Sequence, residues 1–227
     1  MKKIFLFVTL FIMAFNSFSQ DRKGFIGIGI GSAIPTGAFA ASSGSYNTAG
    51  YATTGLSLNL NFQYKLNDWF GLCLTSFDAA NSMNADKLIA STITGSSITT
   101  TVDKASSASC FLIGGYIKKH DFPLYGKIQI GYGSVKTAAI TLSDNTGSAS
   151  ILQSDATYGF AYSIGTGGFF TLSNRWALTL ALDYVSCLAK PNVIAFDHTS
   201  LKQSVSPTFD YGQNFICFQV GIGYMFK

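Results

Sequence analysis

Few residues of this chain carry groups that could do chemistry, and their spacing argues against a catalytic centre. Asp197, His198 and Ser200 stand almost side by side and hold the acid, base and nucleophile of a hydrolytic site. A triad needs its members converging from separate directions, so a solvated loop is the expected reading, with a lipid-modifying hydrolase as the enzymatic alternative. His120, the second histidine, falls beside Pro123 in a short turn. Gly27 and Gly29 begin a dinucleotide-like spacing, but Ser32 holds its sixth position and no helix follows. A Gly-x-Ser-x-Gly elbow is missing. Cys73, Cys110, Cys187 and Cys217 lack the spacing of metal ligands. These residues predict no enzyme activity, no cofactor and no metal. The remaining charged candidates are Lys127 and Asp183, opposite in sign, and what they do depends on the elements that carry them.

Those elements are strands. From Gly55 to Leu66, the residues Leu56, Leu58, Leu60, Phe62, Tyr64 and Leu66 share one face, while Ser57, Asn59, Asn61, Gln63 and Lys65 share the other. A soluble sheet fills its polar face with charge. Here that face is Gly, Ser, Thr, Asn and Gln, which suits a narrow wet interior and turns the apolar face toward lipid. Charged residues are 11% of the chain, against about 25% in soluble domains, and aromatics are 15%. Mean hydropathy is +0.29, yet no run beyond the first 20 residues approaches the roughly 18 apolar residues of a membrane helix. Apolar content without such a run leaves a closed strand barrel as the spanning structure.

Eight segments alternate in this way: 25–34, 55–66, 69–77, 109–118, 124–135, 158–172, 176–184 and 216–226. The sixth places Tyr158, Phe160, Tyr162, Ile164 and Phe170 outward, and the fourth carries Leu112 and Tyr116 inward. Links after the second, fourth and sixth segments are short, whereas the others run to about 20 residues or more, the pattern of periplasmic turns and outer loops. Ile93 and Ile98 around 95–97, and Ile140, Leu142 and Ile151 around Asp144-Asn145-Thr146-Gly147, predict two polar hairpins above the membrane. Lys127 and Asp183 both fall on inward phases, and because an unpaired luminal charge is costly they are expected to meet across the sixth strand.

The N-terminus reads as a secretory signal: Lys2 and Lys3, then apolar Ile4 to Phe15, then Ser17 and Ser19 before a cut at Gln20. Residues 1–19 are thus expected to be removed and 20–227 to form one barrel domain. Lys and Arg then fall from 15 to 13 against 11 acids, a net charge near +2 that suggests no nucleic-acid partner. In the oxidising compartment that follows secretion disulfides persist. Cys187 and Cys217 are inward and at similar heights if the last two strands form a hairpin, while Cys110 lies above Cys73. Strand geometry often strains such bridges, so both pairs are expected to stay reduced, as small buried fillers.

The opening strand Gly24-Phe25-Ile26-Gly27-Ile28-Gly29-Ile30-Gly31, its exit Pro35-Thr36-Gly37, and the last strand Val220-Gly221-Ile222-Gly223-Tyr224-Met225-Phe226 resemble the small outer-membrane β-barrel proteins of the OmpX and OmpW-like groups. The resemblance implies an all-β fold, an eight-stranded antiparallel up-and-down transmembrane barrel in the bacterial outer membrane. It implies as partners the lipid bilayer, lipopolysaccharide and, during assembly, the barrel-insertion machinery. The family's terminal aromatic assembly signal falls on Phe226, with Tyr224 on the same face and Lys227 following. With eight strands the lumen is expected to be filled by polar side chains. The expected function is a structural or surface-interaction role for a monomer. The alternatives are transport or binding of a small hydrophobic ligand through the loop mouth and wall, and a soluble secreted barrel.

Overall fold

The structure, a computed structural model, describes residues 22–43, 48–84, 86–87, 99–118, 122–143, 149–191, 193–197, 202–205 and 212–227. His120, His198, Ser200, the signal segment and the turns at 95–97 and 144–147 lie outside them. In chain order the described strands are β1 (Gly24–Pro35), β2 (Gly55–Lys65), β3 (Phe70–Asn81), β4 (Thr99–Lys104), β5 (Ser106–Ile117), β6 (Leu124–Lys136), β7 (Ala139–Ser143), β8 (Ala149–Ser154), β9 (Thr157–Thr171), β10 (Trp176–Cys187), β11 (Val193–Asp197), β12 (Lys202–Val205) and β13 (Gln213–Phe226). Eight of them close a barrel in the order β1-β13-β10-β9-β6-β5-β3-β2. Every neighbouring pair is antiparallel, and β1 closes on β13 from Gly24 opposite Phe226 to Pro35 opposite Phe215. No helix among the described residues is long and apolar enough to cross a membrane.

The pairing fixes the tilt. A row followed from Leu124 runs through Gly168, Leu180, Val220, Ile30, Leu58, Asp78 and Ser109 and returns to β6 at Ser134, ten residues above its start. A ten-residue stagger over eight strands tilts them by roughly 40° to the axis. Each residue then climbs about 2.5 Å toward the outside. At this tilt the outer faces form a belt: Leu60, Ile113, Ile128 and Val220 lie near its middle, all exposed. Trp69, Phe70 and Trp176 mark its inner rim, where Trp176 meets Tyr224 edge-on at 5.7 Å. Tyr132 and Tyr158 stack at 6.0 Å near its outer rim. Exposed apolar belts flanked by aromatic girdles are what a bilayer requires.

Turn chemistry matches the short connections. The Asn67 side chain accepts hydrogen bonds from the backbone N–H groups of Trp69 and Phe70, each at 2.9 Å, which closes the β2–β3 turn as an Asx turn. Lys65 bridges to Asp68 at 2.9 Å beside it.

The barrel strands run longer than their alternation alone indicates, chiefly at the outer end. β3 reaches Asn81, β5 starts at Ser106, β10 reaches Cys187 and β13 starts at Gln213. Above them, the five remaining strands form a second antiparallel sheet in the order β12-β11-β8-β7-β4. The β7–β8 hairpin is the second expected one. The first contributes β4, while its turn lies outside the described residues. Because each of these strands leads from or into a barrel strand through the outer loops, the sheet continues one side of the wall outward. Phe170 departs from its expected exposure: it keeps an outward phase but lies over Gly168 and is covered.

Candidate functional site

The barrel lumen concentrates the buried polar and ionisable groups, and it is built in three tiers. Its floor is aromatic. Phe25 from β1 meets Phe169 from β9 at 4.8 Å, Phe169 meets Tyr125 from β6 at 4.9 Å, and Tyr125 meets Tyr116 from β5 at 6.3 Å. The Lys118 ammonium sits 5.3 Å from the Phe169 ring centre, a cation–π contact.

The middle tier is polar. Lys127 Nζ lies 3.0 Å from Asp183 Oδ2, and both side chains are almost fully buried. Lys127 and Asp183 each pair with Gly165 from opposite sides of β9, so the two side chains meet over a position without a side chain. Thr75 donates to Asn61 Oδ1 at 2.8 Å, Gln129 Nε2 donates to Thr75 Oγ1 at 3.0 Å, and Ser163 donates to Gln129 Oε1 at 3.1 Å. Asn59 donates to Gln219 Oε1, whose Nε2 donates to Ser57 Oγ at 3.1 Å. Asn59 Oδ1, Gln63 Oε1 and Asp183 Oδ1 find no protein partner. Asn59 and Gln63 line a polar pocket with Gly27, Gly29 and Gly221, which has room for about one water.

The outer tier corrects the expectation of a uniformly polar plug. Phe77, Leu112, Val135, Val185 and Phe215 turn inward there and are buried, together with Cys110, Cys187 and Cys217. A segment of the β1–β2 loop covers them. It leaves β1 through Gly37 at φ +62°, a conformation that glycine adopts without strain, and drops Phe39 onto Phe215 at 5.5 Å. Phe77 meets the same Phe215 ring at 5.9 Å. The segment is anchored by backbone bonds from Ala52 to Phe39 and from Thr53 to Ser82, and it returns through Tyr51 at φ +51°. Sequence periodicity did not reveal this lid, since Phe39 lies outside every alternating run.

The cysteines also depart from expectation. Cys217 pairs with Asp183, while Cys187 pairs with Gln213. They are thus four positions apart in register, about 13 Å along the strand, and not at one height. Cys110 pairs with Phe77, four positions above Cys73, as expected. All four are free thiols. Phe226 packs at the closing seam, its ring 6.1 Å from that of Phe62 and its carbonyl accepting from Lys23 N–H at 3.1 Å. Asp197 lies at the end of β11 in the outer sheet. Among the described residues no cluster of three or more His, Cys, Asp or Glu could hold a metal ion.

No family model and no curated protein matches the sequence. Similar solved structures include a major outer membrane protein from Thermus thermophilus, 10% identical with a TM-score of 0.51 over 89% of this chain and 99% of that one. The outer membrane protein OprG from Pseudomonas aeruginosa is 16% identical, with a TM-score of 0.50 over 90% and 96%. Ail, the attachment invasion locus protein of Yersinia pestis, is 13% identical, with a TM-score of 0.48 over 91% and 100%. The fold is that of the small eight-stranded outer-membrane β-barrels, and the lipid-facing belt makes this chain a membrane-spanning barrel of that type.

Proposed function

We propose that this protein is a structural and surface-interaction barrel of the bacterial outer membrane, monomeric and without enzymatic activity. One observation carries the reading. The lumen is blocked at three levels, by the aromatic floor, by the Lys127–Asp183 tier and by the Phe39 lid, while the wall continues outward as a second sheet. A folded sheet above the membrane, over a filled pore, suits contact with other surfaces and not diffusion. The bilayer and lipopolysaccharide meet the belt, and the insertion machinery reads the C-terminal strand through Phe226 and Tyr224.

A second reading rests on the outer tier: an apolar chamber beneath a loop-borne aromatic suits a small hydrophobic ligand entering when Phe39 moves. Two measurements separate the readings. Replacing residues 139–154 by a short turn should leave the barrel folded and remove association with other cell surfaces. Reconstituted vesicles should show no flux of small polar solutes, and the purified barrel no saturable uptake of an environment-sensitive apolar dye. Saturable dye binding that is competed by fatty acids, with cell association intact in the loop replacement, would favour the ligand reading.

A further inference from the structure

Cys110 on β5 and Cys187 on β10 are not neighbours in the wall, because β6 and β9 lie between them. The structure nevertheless brings their sulfurs together. Cys110 pairs with Gly133 of β6, and a methyl group placed on Gly133 would lie 2.7 Å from the Cys110 sulfur and 2.9 Å from the Cys187 sulfur. Both thiols therefore fill the space that a side chain at 133 would occupy, each within 2.9 Å of the same point. The second intervening strand makes the same allowance: a methyl on Gly159 would come 2.9 Å from the backbone of Ala189, which presses against it. Two paired glycines in successive strands thus leave room on the inner face where the two thiols meet.

We infer that Cys110 and Cys187 are a redox pair that closes into a cross-lumen disulfide as the chain folds in an oxidising compartment, by exchange with the disulfide form of an oxidant of the thioredoxin-fold class. One cysteine thiolate attacks the oxidant's disulfide and forms a mixed disulfide, releasing one oxidant thiolate. The second cysteine thiolate attacks the protein sulfur of that intermediate and expels the other oxidant thiolate. The pair loses two electrons and two protons, and the oxidant gains both. Exchange precedes docking of the Phe39 lid, since both cysteines are buried once it is seated. The present structure is the reduced form. Cys73 is a poor competitor because it lies opposite Gly114, four positions below Cys110, and the Cys217 sulfur is not among the three atoms nearest a methyl at 133. The bond would tie β5 to β10 across the chamber, fixing the floor on which Phe39 rests.

The test uses full-length protein isolated from outer membranes without reductant, denatured in an alkylating agent, digested and analysed by mass spectrometry. The expected result is a crosslinked peptide joining Cys110 to Cys187 in most molecules, with Cys73 and Cys217 alkylated. Cys217→Ser should retain the crosslink, and Cys110→Ser should lose it without creating another. The reduced wild type should unfold at a lower guanidinium concentration than the oxidised form, a difference absent in Cys110→Ser. Alkylation of all four cysteines in the wild type, or a crosslink from Cys187 to Cys217, overturns the inference, and this readout does not depend on any variant folding.

Discussion

Removing either member of the Lys127–Asp183 pair tests the architecture of the lumen most directly. At 3.0 Å, opposite unit charges attract by about 5 kcal/mol at an effective dielectric near 20, which offsets the cost of taking both out of water. Lys127→Met leaves a buried carboxylate with neither oxygen paired, since Asp183 Oδ1 already has no protein partner. That variant should lose roughly 3 to 5 kcal/mol. Asp183→Asn strands the ammonium but keeps an acceptor, so its loss should fall near 3 kcal/mol. The double variant buries no net charge, and its loss should be smaller than the sum of the two by about 2 to 3 kcal/mol. Gly165→Ala gives an independent perturbation of the same contact, because the new methyl would sit 2.8 Å from Leu182 O and 2.9 Å from Asp183 Cγ. Its cost should be about 1 to 3 kcal/mol, and smaller in the Lys127→Met background. The assay is reversible urea unfolding in phospholipid vesicles, followed by fluorescence of Trp69 and Trp176 at the inner rim. Additivity of the two single losses within about 0.5 kcal/mol would show that the pair does not interact and would refute this account of the middle tier.

Three further outcomes are expected. Leu60→Arg, near the belt's middle, should cost about 2 to 4 kcal/mol by the same unfolding assay, and Leu58→Arg less, because it stands beside the exposed Asp78 about 5 Å higher; equal costs would displace the bilayer from this belt. Phe39→Ala should lower stability by roughly 3 kcal/mol through the cavity it leaves while vesicle flux of small solutes stays at background, since the two lower tiers remain; a rise in flux would make the lid the principal seal. Truncation after Met225 removes the ring packed on Phe62 and should lower folded, protease-resistant barrel in outer membranes; unchanged yield would remove Phe226 from any assembly role.

The strand faces were legible because alternation is a local property: Leu56 to Leu66 declares its two sides without reference to anything else. The luminal pair was legible for a related reason. Lys127 and Asp183 flank a single strand whose inner phase holds Ala161, Ser163, Gly165 and Gly167, so small residues between them left room for contact. The outer chamber was not, because Phe77, Val135 and Phe215 lie at strand ends where alternation shades into loop sequence, and because the Phe39 lid has no period to announce it. The outer sheet was half legible: the β7–β8 hairpin carried its own turn signal, whereas the pairing of β8 with β11 joins loops far apart in sequence.

The cysteines show what sets this limit. Which inward residues meet across a barrel depends on the stagger accumulated around it, here ten residues in a full circuit, and no single strand encodes that sum. Treating the last two strands as a hairpin placed Cys187 level with Cys217, and a register offset of four positions separated them. The register instead places Cys110 opposite Gly133 and Cys187 two strands away opposite Ala161, and both sulfurs turn into the space over Gly133. In both the charged and the thiol pair the bridging strands present glycine on the inner face, Gly165 in one case and Gly133 in the other. In so narrow a lumen, glycine on a bridging strand gives side chains from non-adjacent strands the space to meet. The glycine-rich inner face that first suggested close packing is therefore also a map of cross-lumen contacts, once the stagger is known.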